Sequence, residues 1–301
     1  MFKIPDSYDK SFLEYERIHP VFSLKIENLI KDIINGNFDK DFRDENYPML
    51  EKNSTHALIK LFKTRMLEKI QSSKLNNLKG LELYTDIDVC LGCTQYIDNL
   101  YLSHGVGRLQ IMSGEYRYHQ RLYPTISIVD DSNIQIDKDL IISLPFVSGN
   151  KHNNMGKILD KCLEIGNKVH IDCAWITAAK NIDFDFSHPA IESIGFSLSK
   201  GFGLGWNRIG LRLQRKYVVD SIKIMNNHQM IPTMLICVAN HFIDNLEIDH
   251  LWNEHGSRYD KVCLDFDLKP TSSIHVALDG DKLVGTCDLI RYLENIGVQS
   301  Q

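Results

Sequence analysis

The sequence predicts an α/β fold: a large domain whose mostly parallel sheet lies between helices, followed by a small α+β lobe. Two observations carry this. Apolar strand-like runs alternate with helical ones from about residue 83 to 214, and several of those runs are apolar throughout rather than alternating. Strands of that kind are covered on both faces, the condition of a parallel sheet. Beyond residue 215 the alternation stops and the pattern becomes mainly helical.

Strands are expected at "LYTDIDVC" (83–90), "RLQIMSG" (108–114), "LIISLPF" (140–146), "KVHIDCAW" (168–175), "IESIGFSLS" (191–199) and "RIGLRLQ" (208–214). Helical spacing marks "THALIKLFKTRMLEKIQ" (55–71), "TQYIDNLYLSH" (94–104) and "NMGKILDKCLEIG" (154–166). After 215 come two helical runs, "QRKYVVDSIKIMNN" and "PTMLICVANHFIDNLEIDHLWNEHG". "YDKVCLDFDL", "SSIHVALDG" and a last helix near "TCDLIRYLENIG" follow. The expected division is an N-terminal arm over 1–45, a large domain over 46–215 and a small domain over 216–301. The arm, helix-prone at "PVFSLKIENLIKDIING", is expected to pack against another element.

With 301 residues, 43% of them hydrophobic, the chain can bury a sizeable core. A net charge of −5 without a long basic run argues against a nucleic-acid or membrane-surface partner. No apolar leader opens the sequence and no window of about 18 apolar residues occurs, so neither a signal peptide nor a membrane span is expected. Seven cysteines, an odd number scattered through apolar segments, suit reduced thiols in a cytoplasmic protein. "CLGC" at Cys90–Cys93 has metal-like spacing but no second ligand pair, and no metal is expected there.

The chemistry concentrates where the strands end. Asp172 closes an apolar strand in "HIDCAW", and a buried carboxylate needs a positive partner. Lys200 closes the next strand in "SLSK", and Arg208 follows in "GWNRIG". A lysine can form a Schiff base with an aldehyde. Pyridoxal 5′-phosphate (PLP) requires such a lysine, an acid opposite the pyridine nitrogen, and hydroxyls with an arginine for its phosphate. Ser197, Ser199 and Arg208 suit the phosphate, since a guanidinium donates two parallel bonds to it. "GFGLG" is too short and wrongly placed for a dinucleotide loop.

"DCAW", "SLSKGFG" and "WNRIG" resemble the signature of the fold-type I PLP-dependent enzymes, in particular the class I/II aminotransferases. The likeness runs from about residue 45 to 215. It implies Lys200 as the cofactor lysine and Asp172 as the acid facing the pyridine nitrogen. It also implies Trp175 in place of a tyrosine that bonds the cofactor's phenolic oxygen. In "LGCTQYIDNL" it implies a phosphate loop of Thr94 and the backbone amides from Cys93 to Gln95, at a helix N-terminus. "SGEYRYH" nominates Tyr116 for stacking on the ring, and Tyr47 resembles a tyrosine that reaches the neighbouring subunit's phosphate.

The pattern departs in two places. Phe146 in "SLPFVSGNK" stands at the family's asparagine, with Asn150 nearby, and "SSIHVALDG" offers His275 where the family has a carboxylate-binding arginine. Arg258 is a further candidate for that task. The resemblance implies a homodimeric aminotransferase acting on small-molecule amines and carbonyl acceptors. A PLP lyase, decarboxylase or cyclase, or a non-catalytic PLP-fold protein, are the alternatives.

Overall fold

The structure, a computed structural model, describes residues 23–36, 52–291 and 293. Its centre is a seven-stranded sheet. The strands are β2 (Asp86–Cys90), β3 (Leu109–Met112), β4 (Ser127–Val129), β5 (Asp139–Ser143), β6 (Val169–Cys173), β8 (Ile191–Ser197) and β9 (Gly210–Gln214). They lie in the order β2-β9-β8-β6-β5-β3-β4. Only β9 runs against its neighbours; the other six strands share one direction. All six expected strands are present, each shorter than expected, with β5 starting one residue earlier. β4, and a parallel pair β1 (Asn77–Lys79) with β7 (Asp183–Asp185), are additional; at three residues each they are too short to show a period.

The central strands are buried along their whole length. Side chains of β5 alternate between the faces. Ile141 packs with Tyr96, Ile97, Leu109 and Ile111 on one side. Leu140 and Ile142 join the larger apolar core on the other. Helix α3 (Gly92–His104) supplies Tyr96 and Ile97, and helix α5 (Met155–Glu164) contributes Ile158, Leu159 and Cys162 to the larger core. The short α4 (Tyr118–Leu122) follows β3.

Helix α2 (Lys52–Gln71) packs along α7 (Thr233–Asn245), so the apolar core spans both sides of residue 215. α1 (Leu24–Ile34) is capped by the Ser23 hydroxyl, which accepts from the Ile26 amide at 3.1 Å. Ile26 and Leu29 of α1 are buried, so this part of the arm packs on the chain itself.

The long helical run expected after Pro232 is two helices, α7 and α8 (His250–Asp265). The break docks on the end of α2. The Asp249 carboxylate accepts from the Ser73 hydroxyl and the Lys74 amide, both at 2.7 Å, and the Leu246 carbonyl accepts from Lys69 Nζ at 3.0 Å. "YDKVCLD" belongs to α8. α6 (Ser221–Asn227) precedes these helices. An antiparallel sheet of β10 (Lys269–Pro270), β11 (Val276–Asp279) and β12 (Lys282–Gly285) then leads into a helical segment over 287–291. Among the described residues no helix is long and apolar enough to cross a membrane.

Candidate active site

In an open α/β sheet the ligand crevice lies at the carboxyl ends of the parallel strands. Register brings the sequence-nominated residues to that edge. Ser197 at the end of β8 pairs with Gly210 at the start of the reversed β9, and Gly210 also pairs with Cys90 at the end of β2. Asp172, near the end of β6, pairs with Gly195.

The loop after β2 and the loop before β9 meet over Ser197. Arg208 donates from Nη2 to the Thr94 hydroxyl at 2.5 Å, and the Ser197 hydroxyl donates to that of Ser199 at 2.9 Å. Gly92 opens α3 with φ +72°. A β-carbon there would sit 2.9 Å from Ser197 Oγ and 3.5 Å from both Ser199 Oγ and Arg208 Nη2. The glycine thus leaves a hollow walled by two hydroxyls and a guanidinium. The first amides of α3 have no acceptor within the helix, and its Leu91 N-cap offers no side-chain bond. That combination is an anion cradle. Gln95 contributes no side chain to it: its Oε1 accepts from the Leu91 amide at 2.7 Å and its Nε2 faces Met225.

Asp172 is 4% exposed. Burial raises its pKa above the usual carboxylate range, opposed by bonds from the Cys93 thiol and the Ala174 amide and by the charge of Arg208. A carboxyl held this way is stabilised by any cation placed beside it. Burial also drives the Cys93 thiol well up, and the neighbouring Asp172 adds to this.

Lys200 follows Ser199 in a loop that its glycines shape. A β-carbon at Gly201 would lie 2.3 Å from Thr177 Oγ1, so only glycine fits there. Burial lowers the Lys200 pKa, as does the Arg208 charge, while the Cys287 thiol acts in the opposite sense. Arg208 is therefore felt at both Asp172 and Lys200. His275 is fully buried and its pKa is pushed down to about 3, first by burial and then by the Lys200 charge. Its ring stands 5.9 Å from that of Trp175. This contact exists because the segment after Trp175 pairs with the strand entering β11: Ile274 N donates to the Ala178 carbonyl and Lys180 N to that of Ser272.

The remaining nominated residues make other contacts. Tyr116 is 47% exposed and stacks on Tyr118 at 5.8 Å. Phe146 is buried, its ring edge-on to His152. Asn150 accepts from the Ser272 amide at 2.9 Å. Arg258 sits on helix α8, bonded to His255 at 2.8 Å, rather than on a loop at the site. Tyr47 lies outside the described residues.

Four groups near the site were not singled out in sequence. Glu115 is buried and its pKa is raised to about 7, chiefly by burial; it accepts from the amide and hydroxyl of Ser143, both at 2.6 Å. Cys287 feels the charges of Lys200 and Arg291, and Arg291 lies one helical turn further on. Gly92 and Glu115 adjoin motifs that were read, and for Glu115 an acid ending an apolar strand was an available signal. Cys287 and Arg291 carried none.

The fold is that of the fold-type I PLP-dependent transferases. A PLP-bound C-S lyase from Staphylococcus hominis superposes with a TM-score of 0.61 at 10% identity, covering 97% of this chain and 90% of its own. An aspartate aminotransferase tetra mutant from Thermus thermophilus gives 0.57 at 12% identity, covering 91% and 84%. MppP soaked with the product 2-ketoarginine gives 0.63 at 10% identity, covering 87% and 80%. No family model matches the sequence, and no curated protein matches it either.

Proposed function

We propose that the chain is a PLP-dependent aminotransferase, moving an amino group between an amine or amino acid donor and a carbonyl acceptor. One observation carries the reading. The cradle of Gly92, Thr94, Ser197, Ser199 and Arg208 adjoins a buried carboxyl at Asp172 and a partly buried amine at Lys200, all at the carboxyl edge of one sheet.

Bound PLP supplies an aldehyde for Lys200 and an electron-accepting ring. The cradle hydroxyls, Arg208 and the first amides of α3 would hold its phosphate. Asp172 would keep a proton at the pyridine nitrogen, a cation that offsets the cost of burying the carboxylate. Lys200, its neutral form favoured by burial, would move the proton at the donor carbon as general base. Trp175 and His275 would bound the substrate beside Lys200. Arg291 is a candidate beside Arg258 for an anionic group on the substrate, since its charge is felt at Cys287, which also feels Lys200.

The test is spectroscopic first. The purified protein given PLP is expected to show the visible band of a lysine-bound cofactor, lost in Lys200→Ala. A band that survives the substitution, or none in the parent protein, would sink the proposal. Amine donors are then supplied with and without a keto acid. Label passing from donor nitrogen to acceptor identifies aminotransfer. Product formed without an acceptor identifies a lyase or decarboxylase, and a band without any turnover a non-catalytic binder. His275→Asn and Arg291→Gln are expected to raise KM more than they lower kcat.

A homodimer is part of this reading. Trp206, between Lys200 and Arg208, is 90% exposed, and Tyr217 and Val219 are 62% and 68% exposed ahead of α6. Exposed apolar groups of this size favour a protein partner. Trp206→Glu is expected to shift the sedimenting species from dimer to monomer. All seven cysteines are unpaired and buried, which supports a reducing, cytoplasmic setting.

A further inference from the structure

We propose that His104, Asp139 and His170 bind one divalent transition-metal ion of the zinc class, at the end of the sheet opposite the candidate active site. His104 is the last residue of α3, Asp139 the first of β5 and His170 the second of β6. They gather at the amino ends of the parallel strands, whereas the PLP cradle lies at the carboxyl ends. One donor atom from each residue lies within 4.8 Å of the others.

The tautomers favour a cation. His104 Nδ1 is 3.0 Å from the Leu100 carbonyl. A carbonyl only accepts, so the proton of a neutral ring is on Nδ1 and Nε2 presents a lone pair. That lone pair faces Asp139 Oδ2 at 3.8 Å, an acceptor facing an acceptor. The other Asp139 oxygen is already engaged, accepting from the Lys168 amide at 2.7 Å.

His170 brings an independent observation. The residue is 2% exposed, and its Nε2 is buried without a hydrogen-bond partner. Its Nδ1 lies 2.7 Å from the Ser193 hydroxyl, itself 2.7 Å from the Tyr96 hydroxyl. With its Nδ1 taken up by a hydroxyl and its Nε2 otherwise unused, His170 has the arrangement of a metal-bound histidine.

Two imidazoles and one carboxylate suit zinc or a neighbouring first-row ion rather than magnesium or calcium, which prefer all-oxygen shells. Bonds of about 2.0–2.2 Å require the donors to close in modestly. His104 and Asp139 can do so because their side chains are 31% and 23% exposed. The same exposure gives the ion a route in and leaves a coordination position for water. The ion would fasten the far end of the helix whose first turn forms the anion cradle, roughly 18 Å away at 1.5 Å per residue.

The test uses the untagged full chain after chelator treatment, titrated with Zn2+ in a calorimeter and with Co2+ by visible absorption. One equivalent is expected to bind, with Co2+ giving the intense d–d bands of a four-coordinate site and Zn2+ raising Tm. His104→Ala is expected to weaken binding by roughly 100-fold or more, beyond the usual effect of outer-shell changes. Asp139→Asn keeps an acceptor for the Lys168 amide but loses the charge, and is expected to weaken binding by at least about tenfold. Both positions are partly exposed, so both variants keep the apo melting profile. Absence of stoichiometric binding in the parent chain overturns the proposal. Binding that persists in both variants overturns it equally, by placing the ion elsewhere.

Discussion

At the scale of single residues, Gly92 is the most constrained position in the proposed site. Any side chain there enters the hollow beside Ser197 and Arg208, and the positive φ strains it further. Gly92→Ala is expected to weaken PLP binding by at least tenfold while the protein stays folded, read by titrating the visible band. Arg208→Gln removes a charge-assisted donor. At about 1.5–3 kcal/mol for such a bond, PLP affinity is expected to fall roughly 10–150-fold. Lys200 and Arg208 stood out in sequence because two cations bracketed a glycine-rich turn. Gly92 did not, because a glycine that opens a helix has the same spelling whether or not an anion sits on it. The proposed metal ligands were silent for another reason: 104, 139 and 170 are isolated residues on three elements, and only the sheet register gathers them.

At the scale of elements, β2 is an edge strand, and its outer backbone groups need covering. Asn226 of α6 supplies the cover. The Val89 amide donates to its Oδ1 and its Nδ2 donates to the Val89 carbonyl, both at 2.9 Å. Asn226→Leu leaves both backbone groups buried and unpaired, at about 1–3 kcal/mol each. The expected result is a Tm several degrees lower, with PLP binding weakened because β2 leads directly into the cradle. The same corner holds Arg212, buried between Asp88 and Asp220, while Lys223 bonds Asp86 and Asp88. Burial alone would lower the arginine's pKa, but its two carboxylates raise it on balance. Arg212→Met takes the guanidinium from Asp220 and leaves Asp88 to Lys223, and is expected to cost about 3 kcal/mol in denaturant unfolding. "RIGLRLQ" reads in sequence as one more strand. Its reversal and its buried arginine follow from insertion between β2 and β8, where both neighbours and α6 constrain it.

At the scale of the whole molecule, stability is expected to fall with acid in a defined window. Burial pushes His119, His250 and His255 down to about 4 and His275 to about 3. Their unfolded values are near 6.5, so between roughly pH 6.5 and 4 the unfolded chain binds protons that the folded chain refuses. Each histidine then removes up to about 1.4 kcal/mol per pH unit. Glu115, raised to about 7, and Asp172 and Glu254, also raised by burial, have the opposite sign, since their folded forms take a proton earlier, but they are three carboxyls against the four histidines. Denaturant midpoints measured from pH 7 to 4 should decline steadily; a flat profile would show that these rings are not buried neutral in solution.

The fold class and the core of the candidate site follow from local pattern. Apolar strand runs, helical spacing and "SLSKGFGLGWNRIG" reflect period, turn chemistry and charge placement, which act over a few residues and so are written in order. What the tertiary structure decided is everything that depends on which strand ends become neighbours: the hollow at Gly92, the partners of Asp172, the seat of His275 beside Trp175 and Lys200, and the His104–Asp139–His170 group. Such contacts join residues tens of positions apart, and their geometry is set by register and helix docking, which short-range spacing does not encode.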